Sequence, residues 1–207
     1  ADVGLGLVTS TTLAQYGGHV IMACTSIEKC EEGVAIIRKR SKGEEESGLT
    51  EGMSLDLSNF ESVRDFVDRF LDRFERLDSL ILNAEVMMTP FSLTKQGIES
   101  QIGINHFGHF YLTQLLLPLL RSSASPSHPT TIVSLSSAYH FSPYSHGVSL
   151  RLEGSSGLND KSIYDPALAF GQSKLANILF MLELSERERE NNVLVNAINP
   201  GLVYTEL

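Results

Sequence analysis

The chain has 207 residues, 42% of them hydrophobic and 20% charged, with no tryptophan, enough for one α/β domain with a sizeable core. Its formal net charge of −9 argues against a nucleic-acid surface, because phosphate binding needs a basic face. The most apolar segment, LTQLLLPLL (112–120), is too short to cross a membrane and contains Pro118.

The chain opens ADVGLGLVTSTTLAQYG. Gly4 and Gly6 precede an apolar-periodic segment, the pattern of a phosphate loop entering a helix, although a plain turn explains two glycines equally well. No strand precedes this loop, and nothing at residue 1 looks like a signal peptide. The reading therefore expects an N-terminal truncation of one strand and one glycine, roughly ten residues. It also expects the chain by itself to be poorly stable, since a central strand would be missing.

GHVIMAC (18–24) reads as a buried strand and SIEKCEEGVAIIRKR (26–40) as the helix after it. MSLDL (53–57) reads as a short strand. Ser58 and Glu61 form a capping-box pattern opening a helix, with Val63, Phe66, Val67, Phe70 and Phe74 at helical spacing. LDSLILN (77–83) is an apolar strand followed by a long helix through about Leu120. TTIVSLSS (130–137) is a further strand, and a helix runs from about Pro166 to Glu190 before the strand NVLVNAIN. Strands alternating with helices predict an α/β fold, a doubly wound parallel sheet covered on both faces. Such sheets bind ligands beyond the carboxyl ends of their strands, here just after Cys24, Asn83, Ser137 and Asn199. Cys24 and Cys30 make no disulfide framework and no metal spacing, which predicts a reducing intracellular setting, cytoplasmic or organellar. His106 with His109, and His140 with His146, lack further ligands, so no metal site is expected.

The most informative stretch is AFGQSKLAN (169–177), where Phe170 and Lys174 share one helix face a turn apart. Taken with the motifs around it, the chain resembles the short-chain dehydrogenase/reductase family, in its retinol-dehydrogenase and WW-domain-oxidoreductase-like branch. Gly4 and Gly6 match the last two glycines of the family's cofactor loop, and Asp56 matches the acid that contacts adenine. Asn83 and Ala84 in LNAEVM stand in the segment after the fourth strand. Asn105 in INHFGHFYLT matches the active-site asparagine, and Ser137 the catalytic serine. FGQSKLANILF stands where the family has its Tyr-x-x-x-Lys helix. Pro200, Gly201 and Thr205 in NPGLVYTEL match the turn beside the nicotinamide.

The resemblance implies one incomplete Rossmann-type NAD(P)-binding domain over 1–207, lacking its first strand and its C-terminal substrate region. It implies hydride transfer between nicotinamide and a small carbonyl or alcohol substrate, retinoid-like in this branch. Lys174, a second contact to the cofactor, would stabilise a phenolate; Ser137 would orient substrate, and Asn105 would hold a water relay. Each also has a plain reading, as a helix lysine, a strand-end cap and a buried polar group. A homodimer through the helices at 101–120 and 166–190 is a further implication, and no membrane segment is expected in this chain.

Two positions depart from the family pattern. Phe170 stands where the tyrosine would be and has no hydroxyl, so severe impairment is expected; general acid–base catalysis typically contributes ~10²–10⁴-fold. Tyr164 and Tyr139 are the phenols that could substitute. Glu85 occupies the place of a glycine, adding bulk and negative charge beside an anionic dinucleotide. The alternative reading is a non-catalytic cofactor-binding or interaction protein on the same fold, and a third is a scaffold without cofactor. At the end of the second strand an acid would select NAD and an arginine NADP. Thr25 and Ser26 stand there, near Lys29, and leave the choice open; the resemblance, whose branch usually carries arginine at this place, implies NADP over NAD.

Overall fold

A computed structural model describes residues 2–40, 48–149, 151–201 and 203. These residues fall into two compact units, one drawn from 1–56 and 202–207 and one from 57–201. The parallel α/β character expected from the sequence is present, with the described strands in two parallel sheets of two and three strands.

In the first unit, helix α1 (Gly4–Gln15) leads to strand β1 (Val20–Cys24), helix α2 (Ile27–Arg40) and strand β2 (Thr50–Ser54). β1 and β2 pair in parallel from Val20 opposite Thr50 to Cys24 opposite Ser54. Cys30, Val34 and Ile37 recur at helical spacing on α2, so one face of that helix packs with Ala14, Met22 and Cys24. The second strand lies three residues earlier than MSLDL suggested, because the ladder with β1 uses all of Thr50–Ser54. Asp56 thus falls two residues beyond the strand end.

The cysteine reading is also corrected. Cys24 closes β1 and Cys30 lies in the second turn of α2, which brings their Cα atoms to 5.6 Å, and a disulfide joins them. That spacing lies in the ordinary range for a bridge. The cysteines therefore supply no argument for a reducing compartment.

In the second unit, helix α3 (Phe60–Leu71) precedes strand β3 (Ser79–Leu82). The cap is Asn59, whose side chain accepts from the Glu61 amide at 3.1 Å, rather than the expected Ser58. Val63, Phe66, Val67 and Phe70 are buried as their spacing requires. Phe74 lies past the helix end but still packs on Phe70, ring centroids 4.8 Å apart.

The long helix after β3 starts later than expected and is built of three pieces. They are α4 (Ser100–Ile102), a π-helical turn (Gly103–Gly108) and α5 (His109–Ser123). Residues 83–97 hold no helix; Pro90 restricts the chain there, and Glu99 caps α4 by accepting from the Gln101 and Ile102 amides. Strand β4 (Thr130–Leu135), helix α6 (Pro166–Glu188) and strand β5 (Val193–Ile198) complete the unit. β4 lies between β3 and β5, with both pairings parallel. α6 begins where its sequence says: Asp165 accepts from the Ala167 and Leu168 amides, and Pro166 fills the first helical position. Arg121 of α5 grips the buried Glu188 of α6 through two guanidinium nitrogens.

Candidate active site

The site in the second unit is assembled on one face of α6. Phe170, Ser173, Lys174 and Asn177 recur at i, i+3, i+4 and i+7, and all four are buried. The end of β4 is tied to this face, because Ser136 Oγ donates to Lys174 O at 3.2 Å. Ser137, two residues beyond the strand, is half-buried and caps a short turn by accepting from the Tyr139 amide. That turn lies hard against α6 at Gly171, where a Cβ would stand 2.3 Å from Ser142 O and 2.7 Å from Tyr139 O.

Lys174 is 1% exposed, unusual for a lysine. Its ammonium forms an ion pair with Glu85 and donates to Leu135 O at 3.2 Å. The Phe170 ring lies 5.2 Å from the same nitrogen, a cation–π distance. Burial pushes the Lys174 pKa below the ordinary lysine range, while the Glu85 carboxylate pulls it back up. Glu85 therefore turns toward the lysine rather than away from it.

Asn105 sits in the π-helical turn and is fully buried. Its amide clamps the loop after β3: Oδ1 accepts from Val86 N at 2.8 Å, and Nδ2 donates to Val86 O at 2.9 Å. The same Nδ2 donates to Ser173 Oγ at 3.0 Å. Wide turns of this kind leave carbonyls open to side chains, and Asn105 O accepts from both Asn177 Nδ2 and His109 Nδ1. His106 packs toward α6, with Nδ1 3.1 Å from Asn177 Oδ1. Among the described residues no His, Cys, Asp and Glu group could hold a metal ion.

The two spare phenols differ. The Tyr164 hydroxyl is spent: it accepts from Gln101 Nε2 and donates to Thr89 O, both at 2.8 Å, with Glu99 3.3 Å away. Burial and the nearby Glu99 charge push its pKa up to about 12. Tyr139 stands edge-on to Phe170, ring centroids 5.7 Å apart.

Asn83 is half-buried and Ala84 exposed just past β3. Pro200 and Gly201 are exposed beyond β5, in a turn where Asn199 Oδ1 accepts from Gly201 N at 3.1 Å. Thr205 lies outside the described residues. In the first unit, Gly4 opens α1 at φ 54°, a conformation that favours glycine, and Gly6 is buried in the first turn. A helix start of this form fits close approach of a phosphate. Thr25 and Lys29 are exposed after β1, and Ser26 Oγ lies 3.4 Å from Lys29 N. Glu28 lies in the same turn, its pKa lowered by its own amide and by Ser26.

Sequence reasoning alone missed the Glu85–Lys174 pair and the roles of Ser173, Asn177 and Gly171. The four-residue stripe on α6 was a visible signal for Ser173 and Asn177; no local pattern announces the Glu85–Lys174 pair or the close packing at Gly171.

The profile of the family described as short chain dehydrogenase matches residues 1–149. The chain belongs to this family. It is 40% identical over 207 residues to human retinol dehydrogenase 13, covering all of this chain and 58% of that protein. It is 38% identical to short-chain dehydrogenase TIC 32 A, chloroplastic, of Brassica napus, covering 99% of this chain and 62% of that one. The chain thus spans about three-fifths of the length of these relatives. A crystal structure of an uncharacterised protein from Mycobacterium paratuberculosis superimposes with TM-score 0.76 at 39% identity, over all of this chain and 68% of that one. The NADP active-site complex of Pseudomonas aeruginosa RhlG shares the fold, with TM-score 0.75 at 23% identity over 99% of this chain and 71% of that one.

Proposed function

We propose that the protein is an NAD(P)-dependent oxidoreductase of alcohols and carbonyls, retinoid-like substrates among them, whose proton-transfer step is impaired in this chain. The observation that carries this reading is the buried Lys174 ammonium beside the Phe170 ring, on a helix of a short-chain dehydrogenase. When bound, the nicotinamide would supply or accept a hydride. Gly4 and Gly6 would take its pyrophosphate, Thr25 and Asp56 its adenosine half, and Asn83, Ala84, Lys174, Pro200, Gly201 and Thr205 its nicotinamide half. Ser137 would orient the substrate oxygen, and Asn105 would hold the loop and a water relay. Phe170 preserves the packing of a tyrosine ring and offers no proton.

The exposed Lys29 favours the 2′-phosphate of NADP, while ionised Glu28 opposes it, so the preference over NAD is small. The test compares the protein with its Phe170→Tyr variant, using NADPH and NADH and a retinoid aldehyde. Nucleotide affinity should be alike in both, and turnover should rise ~10²–10⁴-fold with the phenol. Equal turnover in the two proteins would overturn the impairment.

A second reading, a nucleotide- or partner-binding protein without catalysis, is favoured by the Glu85–Lys174 pair, which spends the lysine's charge inside the protein. We also infer a homodimer through α5 and α6. Phe110, Leu179 and Leu182 on these helices are 40%, 50% and 61% exposed, an apolar surface of the kind that marks interaction sites.

A further inference from the structure

Glu85 has a part that the family pattern does not foresee, since a glycine stands there in the pattern the sequence resembles. An ammonium has three N–H donors. On Lys174 one meets Glu85 and another meets Leu135 O, and the Phe170 ring covers the same nitrogen at 5.2 Å. The loop that carries this carboxylate is held in place at two points. Val86, the next residue, is bound through both its N–H and its C=O by the Asn105 amide. Met88 N donates to Gln101 Oε1 at 2.8 Å, pinning the far end of the same loop.

We propose that Glu85 is a built-in ligand of Lys174 that withholds the ammonium from the nicotinamide half of an incoming nucleotide. This rests on the nucleotide-binding reading above. The lysine is occupied by this carboxylate, and the nucleotide must displace Glu85 to reach it. Asn105 acts as a positioning residue, holding the loop that carries the carboxylate.

The experiment uses the full chain, Glu85→Gln and Glu85→Gly, two variants in case the glycine impairs folding. Lys174 is followed through its ε-methylene resonance in 13C-lysine-labelled protein, assigned with Lys174→Met, and NADPH affinity is measured by fluorescence titration. The Lys174 titration midpoint should fall by at least one pH unit in Glu85→Gln. NADPH affinity should rise at least fivefold in Glu85→Gln and further in Glu85→Gly. An unmoved midpoint overturns the pairing, and equal or weaker NADPH binding in both variants overturns the inference alone. Absence of NADPH binding in all three proteins overturns the nucleotide reading together with it.

Discussion

His109 shows how one buried residue sets a pH dependence. It opens α5, where burial, the Lys174 charge and His106 outweigh its bond to Asn105 O and lower its pKa from 6.5 to about 4. Below pH 6.5 the unfolded chain takes up a proton that the folded protein refuses. Stability should therefore be full above pH 6.5, fall as pH drops from 6.5 to 4, and level off below, a loss on the order of 3 kcal/mol. Urea melts of the protein and of His109→Gln between pH 4 and 7 would check this; the variant should show a shallower fall. The burial of His109 was foreseeable from its place in an apolar helix, but the charge beside it was not. Lys174 lies 65 residues away in the chain and reaches the same interior only through packing. Glu85 was legible as a departure from glycine, whereas its pairing with Lys174, on a loop clamped by Asn105, follows from no local spacing.

At the scale of elements, α6 carries most of the candidate site, and its ends and faces were legible. Asp165-Pro166 marks the start, and the 170, 173, 174, 177 stripe marks the inward face. What it packs against was not legible. The 138–142 turn sits on Gly171 with less room than any side chain needs. Gly171→Ala should force this turn outward and destabilise the protein by about 1–3 kcal/mol, read as a lower denaturant midpoint. It should also move Tyr139 off Phe170 and change the tyrosine near-ultraviolet signal; an unchanged midpoint and signal would contradict the packing. The helix after β3 illustrates the opposite error. Its apolar run suggested continuity from residue 84, whereas the loop carrying Glu85 intervenes and a π-helical turn follows α4. A hydrophobic pattern cannot by itself separate a half-exposed loop or a widened turn from a regular helix.

At the scale of the whole molecule, the exposed apolar residues on α5 and α6 lead to a prediction about assembly. Leu182→Glu would place a charge on the proposed dimer face at an already exposed position, so folding should be unaffected. Sedimentation at micromolar concentration should show a dimer for the protein and a monomer for the variant; a monomeric parent would overturn the dimer. No described helix is long and apolar enough to cross a membrane. The parallel α/β character was legible because strand and helix periods alternate along the chain.

The sequence by itself determined the family, the parallel α/β character and the absence of a phenol at residue 170. These depend on local patterns and motif order, which need no coordinates. Only the tertiary structure decided that Cys24 meets Cys30, that Tyr164 is spent on Thr89 and Gln101, and that Glu85 takes Lys174. Each of these is a pairing between side chains whose partner is chosen by packing geometry, and burial makes the choice matter. A charge or polar group removed from water must find a partner within hydrogen-bond reach, wherever in the chain that partner comes from.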